Sequence, residues 1–476
     1  MKNKSLLCDF YELTMANGYF RAGMGEQISY FDVFFRKVPD GGGFAIAAGL
    51  EQIINFINDL SFTDEDIEFL RGKNIFDRGF LEYLRNFKFT GDVWAVPEGT
   101  PIFPGEPAFI VRAPTIQAQL LETYMLLSFN HQSLIATKSN RIVRAAEGRP
   151  VLEFGARRAH GAEASVMGAR AAYIGGCAGT SCVLADRDFG VPATGTMAHS
   201  WVQMFPDEYT AFETYCKMYP DNPSLLVDTY NVLKSGIPNA MKAFANCLPP
   251  KGQRNCSIRL DSGDITYLTK KARAMLDKNG FDDCRIVVSN SLDENIIRDL
   301  ILQGACVDSF GVGERLITGK SEPVFGGVYK LAAVEDEKGN IIPKIKISEN
   351  AAKITTPHFK KVYRIFVEGK AMADLICLYD EEMDFTKPLE LFDPDYTWKR
   401  RTVTEYEARE LLVPVFRGGK QVYTCPDIHT VQKYCADQLD LFWDEVKRFE
   451  NPHNYYVDLS RKLWQLKSDM LGGVRK

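Results

Sequence analysis

Residues 5–20 set Leu6, Phe10, Leu13, Met15 and Tyr19 at helical spacing, with Gly18 and Gly23 near the end, and predict a helix. The run 28–38 (ISYFDVFFRKV) reads as a strand. A Pro-Asp-Gly-Gly-Gly turn at 39–43 follows, then a helix over 47–60. Segment 90–116, rich in Gly, Pro and Val, predicts short strands joined by tight turns, and 116–147 predicts a helix.

From 150 the pattern changes to short apolar runs that end in glycine or a polar residue and are followed by helical stretches. The runs are PVLEFG (150–155), CAGTSC (177–182), PATGTMAH (192–199), SLLVDTY (224–230), CSIRLDSGD (256–264), CRIVVSNS (284–291) and ACVDSFGVG (305–313). Their polar ends recur at intervals of 18 to 33 residues, the length of a βα unit. Seven such units predict a parallel α/β barrel of the TIM type or an irregular relative, with a doubly wound open sheet as the alternative. After 320 the pattern is that of hairpins: PVFGGVYKLAAV, a polar turn at 335–340, IIPKIKIS and KVYRIFVEG. The tail over 426–470 reads as helical and charged. The expected fold is α/β: an irregular TIM-like barrel (146–322) inserted in a second, α+β domain. That domain is built from an N-terminal part (1–145) and a β-rich C-terminal part with the helical tail (323–476).

Composition narrows the function without choosing it. The chain has 476 residues, 45% hydrophobic and 25% charged, the mix of a folded multi-domain protein. A net charge of −5 argues against bulk nucleic-acid binding and a polybasic membrane anchor. No apolar run reaches a membrane span and no signal-peptide pattern opens the chain, so the expectation is a cytoplasmic protein without nucleic-acid or membrane partners. Eleven scattered cysteines without a C-x-x-C read as reduced core residues. Six histidines, none at metal-ligand spacing, encode no local zinc site.

One apparent motif fails. Gly313–Ser321 (GERLITGKS) has one residue too many for a P-loop, whose consecutive N–H groups must wrap a phosphate. The polar strand ends carry more. Arg157, Thr196, His199, Asp228, Arg259, Asp261 and Asn290 stand where a parallel barrel gathers its active site. Arginines pair with phosphate oxygens, carboxylates hold ribose hydroxyls or Mg²⁺, and strand-end glycines let backbone N–H groups approach phosphates. A phosphorylated, metal-chelating sugar suits this set. The plain alternative is a row of helix caps and solvated strand ends.

The stretches LCDFYELTMANGYFRAG (7–23), FFRKVPDGGGFAIAAGLE (34–51), EFGARRAHG (153–161), GTMAHSWVQMF (195–205), LVDTYNVL (226–233), RLDSGD (259–264), VSNSLDE (288–294), FGVGERLIT (310–318), FGGVYKL (325–331), KISENAAKITTPHFKK (346–361) and NPHNYYVDLS (451–460) together resemble the nicotinate phosphoribosyltransferase family. The resemblance implies an enzyme that joins nicotinate to phosphoribosyl pyrophosphate, coupled to ATP hydrolysis with Mg²⁺, whose protein ligands stay open. It also implies a homodimer with shared active sites.

Residue by residue, the resemblance implies that His199 becomes a phosphohistidine and that Asp228 orients its imidazole. Arg259 and Asp261 hold the nucleotide or phosphoribosyl part, with Asn290 at the neighbouring strand end. Phe154, and Tyr11 from the partner subunit, sandwich the pyridine ring. Arg157, which the sequence does not separate from Arg158, and Thr196 stand beside the pyridine carboxylate and the ribose. Gly311, Gly313 and Thr318 form a 5′-phosphate pocket, and Arg36 reaches the pyrophosphate across the dimer. Ser181 stands where related nicotinamide enzymes carry Asp. Like charges ~4 Å apart at an effective dielectric of ~20 cost about 4 kcal/mol, so serine favours the acid substrate over the amide. A nicotinamide enzyme and a catalytically inactive ligand-binding homologue are the rival readings. His358 departs from the family, which usually shows glycine there.

Overall fold

The computed structural model describes residues 3–350 and 353–473; Ala351 and Ala352, within the KISENAAKITTPHFKK stretch, lie outside the described residues. The chain forms two compact units: Met1–Leu134 with Val324–Lys476, and Ile135–Pro323. The first changeover falls inside the helix Glu122–Ala145 rather than at its end.

The inserted unit is a parallel sheet of six strands: β1 (Val151–Glu153), β2 (Gly179–Thr180), β3 (Ser224–Leu226), β4 (Ser257–Leu260), β5 (Arg285–Asn290) and β6 (Ser309–Val312). They pair in the order β2-β1-β6-β5-β4-β3. The registers are set by pairs such as Phe310↔Val151, Val287↔Ser309 and Ser224↔Ser257. Leu225, Ile258, Leu260, Ile286, Val288, Phe310 and Val312 have no exposed surface, as expected of parallel strands covered on both faces. Helices return the chain after the strands, and aspartates start several of them. Asp264 caps Ile265–Lys278 by accepting from Tyr267 N (3.0 Å). Asp293 caps Glu294–Leu302 through Asn295 N and Ile296 N.

One expectation needs correction here. The run 192–199 forms no seventh strand; its ladder contact is an isolated bridge, Thr180↔Ala193. Pro192 has no N–H to give, and Pro192–Gly195 is exposed, so nothing buries it as a strand. The paired strands form an open row with β2 and β3 at its ends, not a closed ring.

The other unit mixes strands from both chain ends. Its seven-stranded sheet runs Ile341–Pro343, Gly327–Glu335, Ile28–Phe35, Phe109–Pro114, Asp92–Ala95, Val413–Arg417 and Lys420–Gln421. Ile28–Phe35 is therefore held between a strand near it in sequence and one from beyond the inserted unit. A second sheet runs Glu407–Glu410, Lys360–Val367, Lys370–Leu378 and Tyr456–Leu459. Arg364 and Asp374 face each other across its central hairpin, fully buried and 2.7 Å apart. The expected helical tail is broken: helices Ile428–Asp440 and Arg461–Gly473 flank the strand Tyr456–Leu459, which adds in parallel to Lys370–Leu378. The first helix spans Phe10–Arg21 rather than 5–20, because Asp9 holds extended backbone at its N-cap. His358 takes φ +77°, a left-handed conformation that explains why glycine suits this position. All eleven cysteines are free. No helix among the described residues is long and apolar enough to cross a membrane.

Candidate active site

In the inserted unit one arginine ties the carboxyl ends of β4 and β5 to the 192–199 segment that follows β2. Arg259, on β4, donates Nε to Ser289 Oγ of β5 (2.7 Å). Its Nη1 donates to Thr196 Oγ1 (2.9 Å) and its Nη2 to Asp261 Oδ1 (3.2 Å). Ser289 Oγ donates in turn to Asp261 Oδ1 (2.6 Å). Asp228, just beyond β3, receives Asp261 N (2.9 Å) and Ser262 Oγ (2.7 Å) on Oδ2, while its buried Oδ1 accepts no hydrogen bond from the described residues.

His199 opens the short helix His199–Gln203, and its Nδ1 lies 3.1 Å from Thr229 Oγ1. That contact corrects the expected pairing: Thr229, not its neighbour Asp228, holds the imidazole, and Asp228 is committed to the RLDSGD loop. It also joins segments that follow the two end strands of the row, since His199 comes after β2 and Thr229 after β3.

An aromatic ring borders the cluster. Phe154 follows β1, and the Arg259 guanidinium carbon lies 5.8 Å from its ring centroid. Glycine at 311 makes room for the ring: a Cβ there would stand 2.5 Å from Phe154 Cδ2. The residue before it is anchored as well. Glu153, fully buried, accepts from Thr180 Oγ1 (2.7 Å) and from Gly155 N. Burial pushes its carboxyl up, and those two donors oppose the shift.

The remaining sequence-predicted residues are not tied into this cluster by hydrogen bonds. Arg157 and Arg158 are exposed on the single turn Ala156–Arg158. Ser181 is exposed, with its N–H given to Glu153 O (2.8 Å). Asn290 is exposed and accepts from Ser291 N. Gly313 precedes the helix Glu314–Ile317, and the Thr318 hydroxyl donates to Glu314 O (2.7 Å). Tyr11 and Arg36 belong to the other unit. Tyr11 is 43% exposed on Phe10–Arg21, its hydroxyl pushed up by burial and by Glu122. The Arg36 Nε is buried without a hydrogen-bond partner among the described residues. Thr229 and Ser262 are the cluster residues that sequence reasoning missed, whereas Ser289 and Glu153 stood out only as polar ends of apolar runs. All four lie inside quoted motifs, and for Thr229 and Ser262 proximity was the only further signal.

Cations and carboxylates interleaved at the carboxyl ends of parallel strands define an α/β unit suited to small, highly charged ligands. Family models for nicotinate phosphoribosyltransferase match the N-terminal domain at residues 6–130, the family's central region at 150–361 and the C-terminal domain at 359–467. The chain is 43% identical over 476 residues to nicotinate phosphoribosyltransferase of Bacillus subtilis strain 168, covering 99% of this chain and 96% of that one. It is 31% identical to the Homo sapiens enzyme of the same name, covering 99% and 97%. The crystal structure of human nicotinic acid phosphoribosyltransferase superposes with a TM-score of 0.84 at 30% identity, covering 98% of this chain and 100% of that one. This chain belongs to the nicotinate phosphoribosyltransferase family.

Proposed function

We propose that this protein transfers phosphoribose from phosphoribosyl pyrophosphate to nicotinate, giving nicotinate mononucleotide and pyrophosphate in NAD salvage. The observation that carries the reading is the Arg259 cluster, which gathers Thr196, Asp261 and Ser289 beside the Phe154 ring. The pyridine stacks on Phe154, and its nitrogen attacks the ribose C1 as pyrophosphate leaves. Arg259 and Asp261 fix the phosphoribosyl group, and Gly311, Gly313 and Thr318 border its 5′-phosphate. Arg157 and Ser181 serve the nicotinate carboxylate, with Asn290 at the neighbouring strand end. Alignment and charge neutralisation lower the barrier without a protein nucleophile at C1.

ATP hydrolysis drives the transfer through phosphorylation of His199. With Nδ1 held by Thr229, Nε2 is the nitrogen left to take the phosphoryl group. Mg²⁺ fits the donor set: Asp228 presents a buried oxygen without a partner, and Asp261 lies beside it. Among the described residues no three His, Cys, Asp or Glu side chains form a cage. That pattern suits an ion carried mostly by substrate phosphates with one or two carboxylates. When bound, the ion neutralises pyrophosphate charge. The same reading places the protein in the cytoplasm as a homodimer, with Tyr11 and Arg36 supplied to the site from the partner subunit. It also curls the strand row into an incomplete barrel whose gap the 192–199 segment occupies, supported by the His199–Thr229 contact.

The test measures nicotinate-dependent consumption of phosphoribosyl pyrophosphate with and without ATP, and acid-labile phosphate on the protein. His199→Ala is expected to abolish the label and the ATP effect while leaving slow transfer. A labelled, fully ATP-coupled variant refutes the histidine assignment.

A further inference from the structure

The C-terminal part of the discontinuous unit contains a cavity of about 480 Å³ that shares Asp393, Lys399, Tyr456 and Asp458 with the larger cleft Arg36 borders, and none of those four has a role in the proposed transfer. Phe392, Trp443 and Tyr456 give it aromatic walls, and Asp458 lines it. Asp458 is 4% exposed, on the strand Tyr456–Leu459, and no described residue donates a hydrogen bond to its carboxylate. Burial of a carboxylate without a donor is costly, and Asp393 in the same cavity adds like charge, so its carboxyl is pushed up to about 7. The group is built to receive a donor that the fold does not supply.

The rest of the lining says what else that donor carries. Lys399, Arg400 and Arg401 are three consecutive exposed cations on the same cavity. They disfavour a simple organic cation and favour an anionic group at the mouth. Lys399 Nζ stands 3.8 Å from Asp393 Oδ2, a loose pairing that a phosphate can compete with. Aromatic walls stack heteroaromatic rings, and carboxylates accept from exocyclic amino groups. The volume lies in the range of small-molecule sites.

We propose that this cavity binds a nucleoside phosphate whose base carries an exocyclic amino group, with the amine on Asp458, the base against Trp443 and Tyr456, and the phosphate toward Lys399 and Arg401. Calorimetric titration of the full chain with adenosine monophosphate and inosine monophosphate tests this, because the second has a carbonyl in place of the amine. The expected result is saturable adenosine monophosphate binding that is at least tenfold tighter than inosine monophosphate. Asp458→Asn is expected to weaken it at least tenfold, leaving nicotinate mononucleotide binding unchanged. Arg401→Ala, on the surface and harmless to folding, is expected to reduce adenosine monophosphate affinity severalfold toward that of adenosine. Equal affinity for the two nucleotides, no saturable binding, or indifference to both substitutions overturns the proposal.

Discussion

At the scale of single residues, the site depends on what is small. Gly311 lies under Phe154, and a methyl group there would collide with the ring at 2.5 Å. Gly311→Ala is expected to tilt Phe154 away from Arg259 and to lower kcat/KM for nicotinate at least tenfold. The overpacking costs about 1–3 kcal/mol of stability, readable by denaturant unfolding. Ser181 is the second small residue of consequence. Ser181→Asp is expected to lower kcat/KM for nicotinate by one to three orders of magnitude and to raise the relative rate with nicotinamide; paired kinetics with the two substrates check it. Residue types were legible in sequence, but their partners were not. His199 was visible as a motif histidine, whereas its bond to Thr229 depends on where two loops meet. Asp228 and Thr229 are adjacent in sequence and diverge in use, a distinction no spacing rule makes.

At the scale of elements, the helix Phe10–Arg21 is pinned by a buried carboxylate. Glu12 Oε1 accepts from Asp9 N (3.2 Å), Thr123 N (3.2 Å) and Thr123 Oγ1, while Oε2 has no hydrogen-bond partner among the described residues. Burial raises its carboxyl to about 7, more than its hydrogen bonds lower it. An unfolded glutamate titrates at ~4.3, so between about pH 4 and pH 7 the native chain holds the extra proton. Stability therefore falls as pH rises through that window and levels off above it. Glu12→Gln is expected to flatten that slope, by about 4 kcal/mol over the window at most, measured as unfolding free energy at several pH values. Strands that end in a polar residue were readable from their apolar runs, six of the seven. The seventh run, 192–199, has the composition of a strand end but no buried alternation. Tyr456–Leu459 was missed for the converse reason: its partner lies about 80 residues earlier, and local sequence carries no trace of that pairing.

At the scale of the whole molecule, the interruption of one unit by another was suggested by two blocks of β pattern around a βα rhythm. The place of the boundary was not, because it falls inside an uninterrupted helix. The C-terminal part of that helix belongs to the inserted unit. Lys138 and Arg141 both pair with Glu294, all three buried, at 2.8 and 2.9 Å. Gly175 leaves room for Ala136 O, which a Cβ would approach to 2.3 Å. A fragment of residues 146–323 therefore strands Glu294 without its cations, at a cost of about 3–5 kcal/mol. It is expected to be unfolded or molten, whereas 135–323 folds; circular dichroism melts of the two fragments decide it.

The strand Ile28–Phe35 has a further consequence, for the order in which the protein is made. Its second neighbour, Gly327–Glu335, leaves the ribosome only after about 300 more residues have been added. At roughly 5–20 residues per second, one edge of that strand stays unpaired for about 15–60 s of synthesis. The nascent chain thus carries an open template for mispairing through most of its own translation, and the inserted unit has time to fold before the sheet whose strands flank it in sequence can close.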